Sequence, residues 1–328
     1  MASPRDAFIA TQLQARRERL RTATAEIGET AQLQQLLKEV DGALERLEQG
    51  TFGICAACNE PIEEERLMAD PLTCFCLDHL TTQQQRALEQ DLELAARIQS
   101  AMLPQRHVAI GGWEVYYDYE PAGPVSGDFC DLLTSTTDGD NLFFLFGDVA
   151  GKGVAASMLM AHLHAIFRSL VAVGMPVTQL AERANRLFSE TTMATFFATL
   201  VIGKADPSGE VEICNAGHCP PFWVREGEVA IIEATGLPLG MFSTAQYSAK
   251  PLRLRKGDGL FLYTDGLIEA LDHSGREYGE ERLRRYLAAN RALPPPALVG
   301  ACIADLESFL GGATKTDDLT LMVLRRSA

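Results

Sequence analysis

Basic residues are in short supply in this chain. Across 328 residues, 29 Lys and Arg stand against 44 Asp and Glu, giving a formal net charge of -15. That deficit excludes sequence-independent nucleic-acid binding, which needs a basic footprint, and it suits metal ions and basic partners. An uncharged apolar run of the ~18 residues needed to span a bilayer is also lacking. The nearest stretch, residues 158–173, carries His162, His164 and Arg168. Residues 2–21 are polar and charged, so they do not read as a secretory leader. The expectation is a cytoplasmic protein with neither a membrane nor a nucleic-acid partner. In that compartment the eight cysteines read as thiols or metal ligands rather than disulfides.

What is present is organised around residues 141–158, NLFFLFGDVAGKGVAASM. The apolar run 142–146 has no polar break, so it predicts a strand buried on both faces. It ends on Gly147-Asp148. A turn follows at Gly151-Lys152-Gly153, and residues 154–173 predict a helix that is apolar nearly all round and therefore buried. A carboxylate at the mouth of a buried strand is costly unless it is paired or ligates a metal, which makes Asp148 the first candidate. A nucleotide-binding P-loop is excluded: the glycines before Lys152 are too closely spaced, and Gly153 stands where the metal-binding Ser or Thr belongs.

Residues 5–49 predict helices, with Leu33, Leu36, Val40, Leu44 and Leu47 at helical spacing and a break near Gly28. Cys55 and Cys58 then stand two residues apart, followed by Cys74, Cys76 and His79. Two thiolates at this spacing close on one tetrahedral ion, and Cys76 with His79 supplies the second pair. Cys74 is left over. Four protein ligands leave no open position, so one structural Zn²⁺ is expected, and no strand-helix unit frames the first pair as a redox motif. Residues 43–80, ALERLEQGTFGICAACNEPIEEERLMADPLTCFCLDHL, resemble the DksA/TraR-type zinc finger, with His79 where the usual fourth ligand is cysteine. The long acidic-tipped coiled coil of the larger members of that family is absent.

Residues 81–103 predict a third helix, ended by Pro104. Leu88, Leu92, Ala95 and Met102 form a short apolar seam interrupted by Gln99. The seam suits either packing within the chain or pairing of two chains, and a homodimer through residues 1–103 is expected. From Trp113 onward the texture changes to short strands and turns. Residues 199–204 and 210–214 flank Asp-Pro-Ser-Gly, and residues 222–225 and 228–232 flank Glu226-Gly227, which predicts two hairpins and hence antiparallel sheets. Helices over 155–173, 176–191, 279–290 and 296–309 would cover them, giving an α+β fold.

Acidic residues stand at strand ends or turns throughout this region: Asp128 in SGDFCD, Asp148 in FGDVAGKG, Asp265 in LYTDGLIEA, and Asp317-Asp318 in TKTDDLTLMVL. Oxygen ligands without a histidine pair favour Mg²⁺ or Mn²⁺ over zinc. Two such ions about 4 Å apart activate a bridging water for in-line attack on a phosphate. These elements, with ELAARIQSAMLP, FFATLVIGKAD, NAGHCPPF and GLPLG in the same order, resemble the SpoIIE-type branch of the metal-dependent protein phosphatase (PPM) family over residues 92–325.

That resemblance implies an α/β/β/α sandwich of two antiparallel sheets flanked by helices. Its implied domain plan is a helical region 1–50, a finger 51–80, a linker helix 81–104 and a phosphatase domain 105–328. It implies Asp128, Asp148, Asp265 and Asp317 as ligands of two Mn²⁺ or Mg²⁺ ions, the Val149 carbonyl as a backbone ligand, the neighbouring Asp318 as a weaker candidate ligand and Asp131 on a metal-bound water. The implied activity is hydrolysis of phosphoserine or phosphothreonine on a STAS-type anti-sigma-factor antagonist. The competing reading is a DksA-like transcription regulator acting through the finger. His218 in NAGH reads as a structural turn residue.

Overall fold

The computed structural model describes residues 4–27, 31–79, 82–134, 141–193 and 195–327. Its contacts divide the chain into two compact units, Met1–Asp91 and Leu92–Ala328.

In the first unit, helices α1 (Pro4–Ile27) and α2 (Ala31–Gln49) pack through Ile9, Leu13, Val40, Ala43 and Leu44. The break predicted at Gly28 lies outside the described residues. Beyond α2 the chain forms a small finger with a short helix α3 (Glu64–Ala69) and a 3₁₀ turn at Leu77–His79. Its core holds Ile62 and Leu67 beside the side chains of Cys55 and Cys76.

Helix α4 (Thr82–Met102) runs across the division at Asp91. The seam positions do not share one environment. Leu88 is 43% exposed, whereas Met102 packs against the core of the second unit. Gln99, the polar interruption, is only 4% exposed. Its amide donates to the Ser126 carbonyl at 2.7 Å and accepts from the Ser126 N–H at 3.0 Å. A buried amide must find partners for its donor and acceptor, and here one residue of a loop supplies both.

The second unit opens with β1 (His107–Ile110), β2 (Trp113–Glu120), β3 (Asp128–Thr134) and β4 (Leu142–Val149). Helices α5 (Gly153–Val171) and α6 (Val177–Thr191) follow. Next come β5 (Ala198–Ala205), β6 (Glu210–Ala216), β7 (Phe222–Arg225), β8 (Glu228–Ile231), β9 (Lys250–Arg253) and β10 (Gly259–Tyr263). Helices α7 (Asp265–Ile268), α8 (Glu280–Asn290) and α9 (Pro295–Leu310) precede the last strand, β11 (Leu319–Arg326). One sheet has the order β1-β2-β11-β10-β7-β8 and the other β3-β4-β5-β6-β9. All the strand pairs are antiparallel, and both predicted hairpins form, as β5-β6 and β7-β8.

The layers follow from side-chain parity along each strand. On β4, Leu142, Phe144 and Phe146 enter the core between the sheets, beside Leu260, Leu262, Met322 and Leu324 of the opposite sheet. Phe143, Leu145 and Val149 turn the other way, onto Met160, Leu163 and Phe167 of α5 and Leu180 and Phe188 of α6. This is why the run reads as buried on both faces. Each such Phe or Leu contributes about 1.5–3 kcal/mol by leaving water. On the far side, Phe261, Tyr263, Leu321 and Val323 pack under α8 and α9. The result is the α/β/β/α sandwich. Helix α5 is long and apolar enough to cross a membrane by composition alone, and it lies against β3 and β4 with one face only; Val154 and Met158 are exposed, so it is not buried all round as its composition suggested.

Candidate metal centre

The same parity delivers the acidic residues. Asp128 and Asp148 face each other directly across the β3-β4 ladder and lie on the inter-sheet side, in step with Cys130 and Phe146. Asp265 opens α7 just after β10, and Asp317-Asp318 immediately precede β11. The rim between the two sheets therefore gathers Asp128, Asp148 and Val149 from one sheet and Asp265, Asp317 and Asp318 from the other. Burial raises the Asp148 carboxyl to about 7, assisted by the charges of Asp265, Asp318 and Asp317. Burial, and then Asp317, raises Asp265. Burial, and then Asp148, holds Asp128 well above the ordinary carboxylate range. Like charges crowded where water is excluded oppose one another's ionisation.

Asp128 has partners that the sequence did not single out. Thr264 donates to its Oδ2 at 3.1 Å, and Thr320 donates to the same oxygen. Both hydroxyls come from the opposite sheet, so Asp128 is hydrogen-bonded across the sandwich. Its backbone N–H donates to the Ser126 hydroxyl at 3.0 Å. Asp318 accepts the Ala122 N–H at 2.7 Å and the Gly127 N–H at 3.1 Å, which fixes the loop leading into β3. Asp317 accepts from Lys152 Nζ at 2.9 Å.

Asp131 does not join the rim. It lies three positions beyond Asp128 and so points to the opposite face, where Arg168 clamps it through Nε and Nη2, both at 2.9 Å. With His164 Nε2 a further 3.4 Å away, it is a structural ion pair beneath α5.

The backbone and Nδ1 of His218 are held in its turn. Asn215 brackets it, accepting its N–H at 2.8 Å and donating to its carbonyl at 3.1 Å, and its Nδ1 lies 2.9 Å from the Thr199 hydroxyl. Burial lowers its pKa from the ordinary 6.5 to about 4. The unfolded chain therefore binds the extra proton within that window, and this contribution to stability is lost as pH falls from about 6.5 toward about 4. Urea unfolding of wild type and His218→Gln across that range is expected to show a steeper decline in wild type, by up to about 1.4 kcal/mol per pH unit. Parallel declines would show that the ring is not held neutral.

Gly127 packs closely against the rim. A Cβ built there would stand 2.8 Å from Asp148 Oδ1 and 2.9 Å from the Val149 carbonyl. Both oxygens thus press against Gly127 and leave no room for a side chain. A carboxylate and a carbonyl held side by side, without histidine, form a donor set for Mg²⁺ or Mn²⁺. Gly127→Ala is expected to lower Mn²⁺ affinity and turnover together and to cost about 1–3 kcal/mol of stability through overpacking. Titration calorimetry showing unchanged affinity would mean that Asp148 and the Val149 carbonyl hold no ion.

In the finger, the ligand atoms of Cys55, Cys58, Cys76 and His79 lie within 4.8 Å of one another, and among the described residues they are the only such group to close so tightly. The Cys58 and Cys76 sulfurs are 3.8 Å apart, matching the ~3.8 Å between thiolates on a tetrahedral zinc with bonds of about 2.3 Å. Cys74 turns away and donates its thiol to the Leu72 carbonyl at 3.2 Å. The four donors fit zinc.

Comparison with known proteins matches this architecture. The family model described as "Stage II sporulation protein E (SpoIIE)" covers residues 138–327, and the "Prokaryotic dksA/traR C4-type zinc finger" covers residues 50–78. Protein IcfG of Synechocystis is 27% identical over 266 residues, 72% of this chain but only 42% of IcfG. Phosphoserine phosphatase RsbU of Bacillus subtilis is 26% identical over 253 residues, 74% of this chain and 72% of RsbU. Among solved structures, the RsbU and RsbW domains of Rv1364c from Mycobacterium tuberculosis superpose with a TM-score of 0.57 at 28% identity, covering 69% of this chain and 62% of that one. With the first family model spanning more than half of its length and the finger model preceding it, the chain belongs to the SpoIIE family of PPM-type phosphatases and carries a DksA/TraR-type zinc finger ahead of that domain.

Proposed function

We propose that the chain is a cytoplasmic, metal-dependent protein phosphatase that hydrolyses phosphoserine or phosphothreonine on a STAS-type anti-sigma-factor antagonist. The observation that carries this reading is the convergence of aspartates from both sheets on one rim. Asp128, Asp148, Asp265 and Asp317 are proposed to ligate two Mn²⁺ or Mg²⁺ ions with the Val149 carbonyl. Asp318 stands beside them, each of its oxygens keeping a lone pair after accepting one backbone N–H. When bound, the ions would supply an activated water and the positive charge that in-line displacement at phosphorus requires.

The chain's own residues do the rest. Asp128 is held in one orientation by Thr264 and Thr320, Asp318 tethers the loop before β3, and the buried sheet ends restrict water around the carboxylates. The name of the RsbU relative, a phosphoserine phosphatase, supports the substrate class. Phosphate release from a panel of phosphorylated STAS antagonists, with and without Mn²⁺, tests the proposal. Release from at least one of them that chelation abolishes is expected. Metal-independent release, or none from any phosphoprotein, would overturn it.

The homodimer is proposed to pair through residues 1–103, where α4 leaves Leu88, Leu94 and Ile98 exposed. Light scattering on the full chain decides this, with twice the monomer mass expected and the monomer mass refuting it.

A further inference from the structure

The rim holds five carboxylates, and a phosphomonoester dianion has to be brought against them. Even two divalent cations leave the set one charge negative before the substrate arrives, so a further cation is needed for the outer phosphate oxygens. Among the described residues, Lys152 is the only side-chain cation paired with a carboxylate of this set. The neighbouring Lys315 is engaged by Glu120.

The backbone around Lys152 is shaped to present it. Gly151 has φ +111 and Gly153 φ +72, and nothing lies within 4 Å of the position a Gly153 Cβ would take, so both glycines are there for conformation. Lys152 itself is extended, at φ -131 and ψ 162. From there its side chain crosses to the loop before β11, donating to the Thr316 carbonyl at 3.0 Å and to Asp317 Oδ2 at 2.9 Å. The side chain is 67% exposed, and both contacts are single hydrogen bonds that a mobile ammonium can exchange. Lys152 also immediately precedes α5, whose first turn has no acidic residue and no side-chain cap. The positive end of that helix dipole therefore favours an anion beside the lysine.

We infer that Lys152 is a substrate-binding residue, its ammonium moving from Asp317 to a non-bridging oxygen of the substrate phosphate. The inference rests on the phosphatase reading above and adds the group that receives the dianion. A lysine in this role stabilises the phosphate whatever alcohol is leaving. Its loss should therefore weaken phosphoserine peptide and p-nitrophenyl phosphate alike.

The test uses the full chain loaded with Mn²⁺ and the variants Lys152→Met and Lys152→Arg. Calorimetry with inorganic phosphate is expected to show roughly 10–100-fold weaker binding in Lys152→Met, the range for loss of one charge-assisted hydrogen bond. Partial recovery is expected in Lys152→Arg. KM should rise by a similar factor for both substrates. Unchanged phosphate affinity in Lys152→Met would overturn the inference. So would a loss confined to the phosphoserine peptide, which would mark a proton donor, or a fall in Mn²⁺ affinity large enough to account for the whole effect, which would mark a strut for Asp317. Should wild type turn over neither substrate, the phosphatase reading fails, and phosphate affinity still decides the role of Lys152.

Discussion

Asp148→Asn and Asp265→Asn are expected to lose turnover by at least the ~10²–10³-fold that removal of a single charge-stabilising group costs in other enzymes, with Mn²⁺ affinity falling in parallel. Each substitution keeps the shape of the side chain and removes one negative charge from a cluster whose pKa values are already raised by burial and then by mutual repulsion. The same repulsion gives the prediction a second, opposite readout. In chelated protein Asp148 is held near neutral pH by burial and by Asp265, Asp318 and Asp317, so its ionised form opposes folding. Asn removes that cost. Chelated Asp148→Asn should melt several degrees above chelated wild type, since about 1 kcal/mol shifts Tm by roughly 2–4 °C in a unit of this size. A variant that is inactive and less stable would point to a folding defect, and full activity at limiting Mn²⁺ would remove Asp148 from the site.

Asp148 and Asp265 were legible because each comes at the end of an apolar strand, where a carboxylate is anomalous, whereas Asp128 opens β3 and Asp317-Asp318 precede β11, so those three were found through their motifs. The sandwich was legible from the two hairpins and from a central strand apolar on both faces. Asp131 shows what a motif alone hides: period-two alternation places it on the opposite face from Asp128, and its charge is balanced by Arg168, 37 positions away in the chain. Thr264 and Thr320 were missed for a related reason. A threonine beside an Asp-Gly turn or after a pair of aspartates is unremarkable locally. These two matter only because closing the sandwich brings them to Asp128 from 136 and 192 positions away. Gln99 likewise read as a flaw in a seam, because nothing in α4 itself announces the Ser126 backbone as its partner.

Removing zinc should have the largest effect on stability. The finger buries only Ile62 and Leu67 fully besides two of its cysteines, far too little apolar surface to hold a segment of this size alone. Binding of the ion is then its folding free energy, about 10–16 kcal/mol near pH 7 for comparable fingers. Chelation or Cys58→Ser should release one zinc per chain and abolish hydrogen-exchange protection over residues 51–79, leaving protection over the second unit intact. Cys74→Ser should keep the metal, since that thiol serves only the Leu72 carbonyl. Retention in Cys76→Ser with loss in Cys74→Ser would reverse the assignment.

The amide of Gln99 gives α4 a rotational phase. Successive residues of an α-helix are turned by about 100°, so slipping α4 by a single position would swing this side chain away from Ser126 and leave a buried N–H and carbonyl without partners. The loop that Ser126 and Asp318 hold together feeds directly into Asp128. Sliding α4 by a whole turn keeps the angle but carries Gln99 about 5.4 Å along the axis and breaks both bonds, as twisting it about its own axis does, whereas tilting it slightly leaves them nearly unchanged. Ahead of Asp128, the chain is thus sensitive to torsion in this helix and tolerant of bending.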